Sequence, residues 1–395
     1  MTTTKNNEHK NIKVPNLKDK GNGIRNVPNL RFPEFQGEWE KCKLGDYGKV
    51  VTGNTPPTKD IENYENGTYL WASPADLGRI KSISETKIML SAKGFSTTRA
   101  LPKGSVLITC IGSTIGKTGM ATKEMSTNQQ INSIVVNDNN DNEFVYYAIQ
   151  SAFPRYLSSI AVQAVPIISK SSFELLPNQR PCLQEQKKIG KFLSLLDERI
   201  ATQSKVIDKL QSLIKGIRND MFGKLRKSIG FNAMISDVLS YEQPQPYIVE
   251  NTEYTAEGIP VLTANKAFVL GYTSETNGIY DKGDCIIFDD FTLDCKYVDF
   301  PFKVKSSAIK ILTAKNKELL RYTFEFLKYL DLSTEEHKRH YIAETQNQEF
   351  ILPTEQIVKT IAHIFSTLSV RMETAVKQRN VFEKQKQYLL RQIFI

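Results

Sequence analysis

The sequence predicts an α+β protein built from two duplicated α/β domains, each followed by a long helix. The main observation is a repeat: the segment that begins Pro181-Cys-Leu-Gln returns as Pro353-Thr-Glu-Gln, and both copies continue as apolar helical patterns. The copies also end alike, at Phe222 and Phe394. A segment of ordinary domain size precedes each copy. The predicted parts are a disordered basic tail (1–28), a first head (29–180), a first helix (181–225), a second head (226–352) and a second helix (353–395).

The first helix carries one apolar seam whose residues step alternately by three and four, with a polar interruption at Gln203. This spacing is a heptad pattern and predicts a coiled coil. The seam residues are Leu193, Leu196, Ile200, Ile207, Leu210, Ile214 and Ile217.

The second helix has a looser seam, because Arg379 and Lys386 stand where the first copy has Ile207 and Ile214. We expect the two helices to pack as an antiparallel coiled coil, each about 50 Å long at 1.5 Å per residue. The second seam consists of Phe365, Leu368, Met372, Phe382 and Leu389.

Within the heads, short runs rich in β-branched residues are bounded by Gly, Asn, Asp and Pro, which predicts strands. Two segments with helical spacing, 144–151 and 319–330, predict one helix in each head. The predicted strands are 105–111, 131–136, 259–262 and 285–288.

Composition narrows the class of protein. No stretch of the 395 residues approaches the 18 apolar residues of a membrane span, and the N-terminus lacks the apolar core of a secretory signal. The five cysteines are odd in number and form no Cys-x-x-Cys pair, which favours a reducing cytoplasm and argues against structural zinc.

The formal net charge of +9 suggests a polyanionic partner, although the tail holds part of the excess. Three loop segments, 96–99, 127–130 and 345–348, combine Thr or Ser with amide or guanidinium side chains. Amides and guanidinium groups bond bidentately to adenine and guanine edges, so these loops are candidates for nucleic-acid contact. Turn capping explains any single one of them equally well.

The segment Gly112-Ser-Thr-Ile-Gly116-Lys117-Thr118 resembles a phosphate-binding P-loop but has three residues between its glycines instead of four. No helical pattern follows it. We interpret it as a strand-to-strand turn that presents Lys117 to a nucleic-acid backbone.

No catalytic constellation stands out, and we expect neither a catalytic residue nor a metal site. Asp289 and Asp290 are adjacent in a predicted strand and therefore point to opposite faces. His337 and His340 lack further Cys or His neighbours, which favours a basic loop over a zinc pair.

Taken together, these residues resemble the specificity (S) subunit of type I restriction–modification systems, over residues 29–395. Phe231 departs from the family pattern, which has Trp there. The segments that carry the resemblance are 29–35 with Trp39, 44–46, 111–117, 184–189, 287–291 and 338–342.

The resemblance implies that each head is a target-recognition domain that binds one half of a bipartite site on double-stranded DNA, with the helices as a spacer. Two methyltransferase (M) subunits would dock on the helices and methylate adenine N6, and restriction (R) subunits would complete a cytoplasmic complex. The chain itself would be non-catalytic and need no cofactor, since S-adenosylmethionine, ATP and Mg²⁺ belong to the partner subunits.

The residues chosen as DNA contacts are basic or amide side chains in loops. Two alternatives stay open at this stage: a stand-alone coiled-coil DNA-binding regulator, and an NTPase that uses the 112–118 turn. The candidate contacts are Arg79, Arg99, Lys117, Gln129 and Gln130 in the first head, and Lys266, Lys303, Arg339 and Gln346 in the second.

Overall fold

The computed structural model describes residues 26–78, 80–160, 167–263, 268–334 and 339–395, which form two compact units. Unit 1 contains the first head, the start of the first long helix to Thr202, and Arg379–Ile395. Unit 2 is Gln203–Gln378. Most of the predicted tail, together with Arg79 and Lys266, lies outside the described residues.

The first head is a mixed α/β domain, with 3-10 turns at Leu44–Tyr47 and Ile61–Asn63. Its sheets have the strand orders β2-β9-β6-β7-β4, β5-β3-β8 and β1-β10. The strands are β1 (Glu40–Lys43), β2 (Gly48–Thr52), β3 (Tyr69–Ala72), β4 (Ser82–Ile83), β5 (Ile88–Leu90), β6 (Val106–Thr109), β7 (Thr118–Ala121), β8 (Met125–Thr127), β9 (Ile131–Val136) and β10 (Pro177–Arg180). The helices are α1 (Ala92–Ser96), α2 (Asn142–Ile160), α3 (Lys170–Glu174) and the long α4 (Leu183–Ser228).

The second head is built the same way, with 3-10 turns at Gln245–Tyr247 and Thr345–Asn347. Its strands are β11 (Ala233–Met234), β12 (Leu239–Glu242), β13 (Ile259–Leu262), β14 (Val269–Thr273), β15 (Cys285–Asp289), β16 (Cys295–Val298), β17 (Lys303–Val304), β18 (Ile309–Ala314) and β19 (Glu349–Phe350). Its helices are α5 (Ile235–Val238) and α6 (Lys317–Leu330), and the second long helix is α7 (Glu355–Ile393).

The strand orders of the second head, β12-β18-β15-β16, β14-β13-β17 and β11-β19, repeat those of the first. The first head has one additional strand, β4, beside β7. Each head contains one parallel pair in its three-stranded sheet, β3 with β8 and β13 with β17. The predicted duplication is therefore confirmed in topology and in strand direction.

A phenylalanine from the end of a long helix completes the core of each unit. In unit 1, the Phe394 ring lies 5.5 Å from Phe144 and 6.1 Å from Trp39, between ring centroids. In unit 2, the fully buried Phe222 ring lies 5.3 Å from Tyr322 and 5.5 Å from Phe326. The repeated aromatic position in the sequence thus marks a repeated packing role.

In each unit a stretch of α4 packs against a stretch of α7. Ile189 and Leu193 share the core of unit 1 with Leu390 and Ile393. In unit 2, Gln203 Nε2 donates to Ala375 O at 3.1 Å, whereas Arg218 further along α4 lies 5.6 Å from the Phe365 ring.

Residues later in α4 therefore contact residues earlier in α7, so the predicted antiparallel pairing is confirmed. The charged seam position Lys386 has a partner, because its ammonium lies 2.7 Å from a carboxylate oxygen of Asp197.

We predict that Phe222→Ala lowers the free energy of unfolding by about 3–5 kcal/mol, because it removes a fully buried aromatic ring and leaves a cavity. Chemical denaturation of the full chain measures the loss. Phe300→Ala is the matched control in the same unit, since Phe300 is 39% exposed and should change stability by about 0.5 kcal/mol or less. Equal effects of the two substitutions would contradict this account of the core.

Candidate nucleic-acid interface

The turn between β8 and β9 holds the amide cluster of the first head. The Asn128 backbone N–H donates to Ala72 O at 2.9 Å, and the Gln130 backbone N–H donates to Asn128 Oδ1 at 3.0 Å. Gln129 is exposed, and its side-chain oxygen accepts a hydrogen bond from the Thr55 hydroxyl. The backbone of the turn is fixed, while the Gln129 amide remains at the surface.

Arg99 lies against the same region. Its guanidinium donates to Thr52 O at 2.6 Å and its backbone N–H donates to Asn54 Oδ1 at 3.0 Å. Asn54 N in turn donates to Thr127 O at 2.9 Å, at the end of β8. The structure therefore brings Arg99 and Gln129, which are far apart in sequence, onto one surface.

The loop between β6 and β7 adjoins this surface. Gly112 and Gly116 both have φ near +90°, and a Cβ on Gly112 would lie 3.9 Å from Gln130 Nε2. Lys117 is exposed, and its side chain packs over Gly78.

Strand β7 begins directly after Lys117, so the predicted strand-to-strand turn is confirmed. A P-loop is followed by a helix whose N-terminus faces the phosphate. Here a strand follows instead, which argues against an NTPase site.

Lys303, a candidate DNA contact of the second head, is buried and paired within that head. It is 3% exposed, donates to Asn277 O at 2.7 Å and forms an ion pair with Glu275. The Glu275 carboxylate also accepts a hydrogen bond from Asn251 N at 2.8 Å. This bond lowers the pKa of Glu275 most, and the hydrogen bond from the Lys303 ammonium lowers it further. The prediction that Lys303 contacts DNA gains no support, because its charge is enclosed and paired.

The other described candidates of the second head lie near the loop after β15. Arg339 is exposed and precedes His340, whose N–H donates to Asp290 O at 3.1 Å. Gln346 is half-buried and its side chain donates to Ile342 O at 2.7 Å, so it stabilises its own turn.

Lys305, which the sequence analysis did not select, is exposed, and its backbone N–H donates to Leu262 O at 3.0 Å. An alignment of the two parallel strand pairs is the signal that would have identified it.

The acidic residues considered earlier have structural partners. Asp289 Oδ1 accepts from Phe291 N at 2.8 Å, and Asp290 Oδ1 accepts from Tyr341 N at 2.7 Å. His340 is buried beside Glu344, at 2.8 Å.

Among the described residues, no group of three or more His, Cys, Asp or Glu side chains could hold a metal ion. Within the same residues, no helix is long and apolar enough to cross a membrane. Burial raises the pKa of the Cys110 thiol to about 12, so this cysteine beside the amide turn is protonated at neutral pH.

Comparison with known proteins gives a consistent result. Residues 36–212 match the model of the type I restriction modification DNA specificity domain. The chain is 44% identical over 126 residues to the type I restriction enzyme EcoR124I/EcoR124II specificity subunit of Escherichia coli, covering 30% of this chain and 31% of that relative. It is 27% identical over 219 residues to the MjaIX specificity subunit of Methanocaldococcus jannaschii, covering 54% and 50%. The matches thus span about a third to a half of these curated relatives.

Solved structures show the same fold over more of the chain. The S subunit of a type I restriction–modification system from M. genitalium has a TM-score of 0.67 at 17% identity, covering 93% of this chain and 99% of that one. A chain from a structure on complex assembly of the type I R-M system has a TM-score of 0.50 at 13% identity, covering 89% and 96%. The domain match, the named relatives and the shared fold agree with the resemblance seen in the sequence: residues 36–212 match a type I restriction modification DNA specificity domain, and the chain shares its fold with the solved S subunit.

Proposed function

We propose that this chain is the specificity subunit of a type I restriction–modification complex, in which each head binds one half of a split DNA site. The observation that carries the proposal is the duplication of one scaffold with different side chains at its loops. The turn after β8 presents Asn128-Gln-Gln130, whereas the turn after β17 presents Lys305-Ser-Ser307. Two copies of one scaffold with different surface chemistry are suited to two different half-sites.

The side chains of the first head fit base recognition in the major groove. Arg99 offers a guanidinium, which pairs with guanine, and Gln129 offers an amide, which pairs with adenine. Lys117 at the adjoining loop suits a phosphate contact, which positions a protein without reading sequence. These groups lie on neighbouring loops, as simultaneous contact with one DNA segment requires.

The long helices are proposed to set the unread spacer and to bind methyltransferase subunits. In unit 1, large apolar side chains remain exposed on the helices, with Phe192 at 40%, Leu195 at 50% and Tyr388 at 61%. They line a groove of about 510 Å³ between α4 and α7. Exposed apolar patches of this kind mark protein-binding surfaces, and a methyltransferase subunit is the partner that the proposed function supplies.

In this proposal the chain determines which DNA sequence the complex binds and catalyses no reaction itself. S-adenosylmethionine, ATP and Mg²⁺ would bind the methyltransferase and restriction subunits, in the cytoplasm. The five cysteines are free thiols, which supports a reducing compartment. A stand-alone regulator remains the competing function, and it would bind a specific DNA site without any partner.

We predict that Arg99→Ala relaxes one half of the methylated site and leaves the other half unchanged, because Arg99 belongs to the first head alone. Loss of a bidentate base contact reduces discrimination at one base pair by about 1–3 kcal/mol. Methylome sequencing of cells that express the chain with its methyltransferase subunit gives the measurement. Lys41→Ala is the control, since Lys41 is exposed on β1, which pairs with β10 and not with the strands that carry these loops. Simultaneous relaxation of both halves would refute the assignment.

We predict that Ile207→Asp abolishes methylation at both half-sites together. Ile207 is 5% exposed in the helix seam, and an uncompensated carboxylate there should destabilise the helix pairing by roughly 3–5 kcal/mol. Thermal unfolding of the purified chain and the methylome are measured on the same variant. The neighbouring Val206 is 40% exposed, so Val206→Asp should leave the unfolding temperature unchanged. A loss confined to one half-site after Ile207→Asp would argue against a shared spacer.

A further inference from the structure

We propose that Lys305 determines the specificity of the second head by selecting a guanine in the half-site which that head binds. The inference rests on the proposed function, namely that each head binds one DNA half-site. Lys305 would then contact DNA, although the sequence around it does not distinguish it from the other lysines of this head.

The backbone of Lys305 occupies the same position in the second head as that of Asn128 in the first. In β3 and β8, Ala72 lies opposite Thr127, and the next N–H, that of Asn128, donates to Ala72 O at 2.9 Å. In β13 and β17, Leu262 lies opposite Val304, and the next N–H, that of Lys305, donates to Leu262 O at 3.0 Å. Lys305 therefore occupies the place of Asn128, at the start of the turn.

A loop on the other side of the parallel pair is anchored in the same way. Asn54 N donates to Thr127 O, and Val249 N donates to Val304 O, both at 2.9 Å. These bonds align β8 with β17 independently of the bonds from Asn128 N and Lys305 N.

The end of the turn is also equivalent. Cys110 N donates to Gln130 O at 2.7 Å in the first head, and Asp290 N donates to Ala308 O at 2.9 Å in the second. Both turns are thus held at both ends by matching backbone bonds, and they differ in their side chains and by one residue in length, 128–130 against 305–308. The first exposes the Gln129 amide, and the second exposes the Lys305 ammonium, which two half-buried serines follow.

The Lys305 side chain is available to a ligand. Among the described residues it forms no ion pair with a carboxylate, whereas the nearby Lys303 and Lys310 pair with Glu275 and Asp290. Its ammonium is exposed and lies 5.8 Å from the ring centroid of Tyr254. An aromatic ring at this distance attracts the cation and limits the positions that it samples.

Tyr254 is itself held in place by close packing on β14. A Cβ at Gly271 would lie only 2.5 Å from Tyr254 Cβ. Tyr254 can therefore occupy this position only because residue 271 is a glycine. The ammonium is therefore held over a positioned ring at the edge of the turn, which suits contact with one base better than diffuse attraction to phosphates.

The chemistry of an ammonium then indicates the base. Guanine presents two acceptors, N7 and O6, in the major groove, whereas adenine pairs its N7 acceptor with an N6 donor. Three N–H donors on Lys305 match guanine and oppose the adenine donor, while the amides of the first head match adenine. The turn that follows the parallel strand pair would then read different bases in the two heads.

The test is methylome sequencing of cells that express the full chain with its methyltransferase subunit. The wild-type chain should yield a split motif with guanine required at one position of one half. Lys305→Ala should reduce discrimination at that position by roughly tenfold or more and leave the other half unchanged. Lys305→Arg should preserve the guanine, and Lys305→Gln should shift the preference towards adenine.

The controls separate recognition from folding. Lys303→Ala removes a buried ion-pair partner two residues earlier, so it should lower the unfolding temperature, and any methylation that remains should keep the guanine. Lys305→Ala should leave the unfolding temperature unchanged.

An unchanged motif after Lys305→Ala overturns the inference, and so does an equal loss at all sequences, which indicates a phosphate contact. A wild-type complex that forms but methylates no split motif overturns the proposed function instead.

Discussion

Closure of each core by a phenylalanine at the end of a long helix is the constraint on which the rest of the structure depends. Phe222 and Phe394 are held among other aromatic rings, so each helix can occupy only one axial position. A shift of one helical turn, about 5.4 Å, would withdraw the ring from its core at a cost of about 3–5 kcal/mol. The register of the helix pairing and the packing of the heads therefore stabilise each other.

Partly buried ion pairs also fix the register of the helices. In unit 1, the Asp197 carboxylate on α4 accepts from Tyr147 at 2.6 Å and pairs with Lys386 on α7. In unit 2, the Glu325 carboxylate on α6 lies 2.7 Å from Arg218 on α4 and 2.7 Å from Arg321. Apolar seams alone tolerate slippage, whereas a buried ion pair is satisfied in one alignment only. In each unit a carboxylate thus helps to join the head to the helices.

Local pattern was enough to predict the four longest helices, several strands and the 112–118 turn, because periodicity and glycine positions determine them. It was insufficient for Lys303 and Lys305, since nothing within two residues distinguishes the buried lysine from the exposed one. Their difference arises from Glu275, which reaches Lys303 from a distant loop. Likewise, the sequence shows Lys386 only as a charged residue in an apolar seam, whereas the structure shows that it pairs with Asp197. Comparison of the duplicated strands recovers Lys305, because the repeat carries tertiary information that one copy lacks.

The charge distribution of the second head also bears on the choice between a specificity subunit and a stand-alone regulator. Binding to DNA phosphates strengthens with the number of cations that can replace counterions. Of the nine lysines of this head that the structure describes, six are paired with carboxylates. These are Lys282, Lys296, Lys303, Lys310, Lys317 and Lys328.

A head with so many of its lysines paired must exchange ion pairs with carboxylates before it can hold DNA by phosphate contacts alone. It can still discriminate bases if a partner supplies the remaining contacts. This balance favours a subunit that reads DNA within a larger complex, because a stand-alone regulator must provide both affinity and specificity from its own surface.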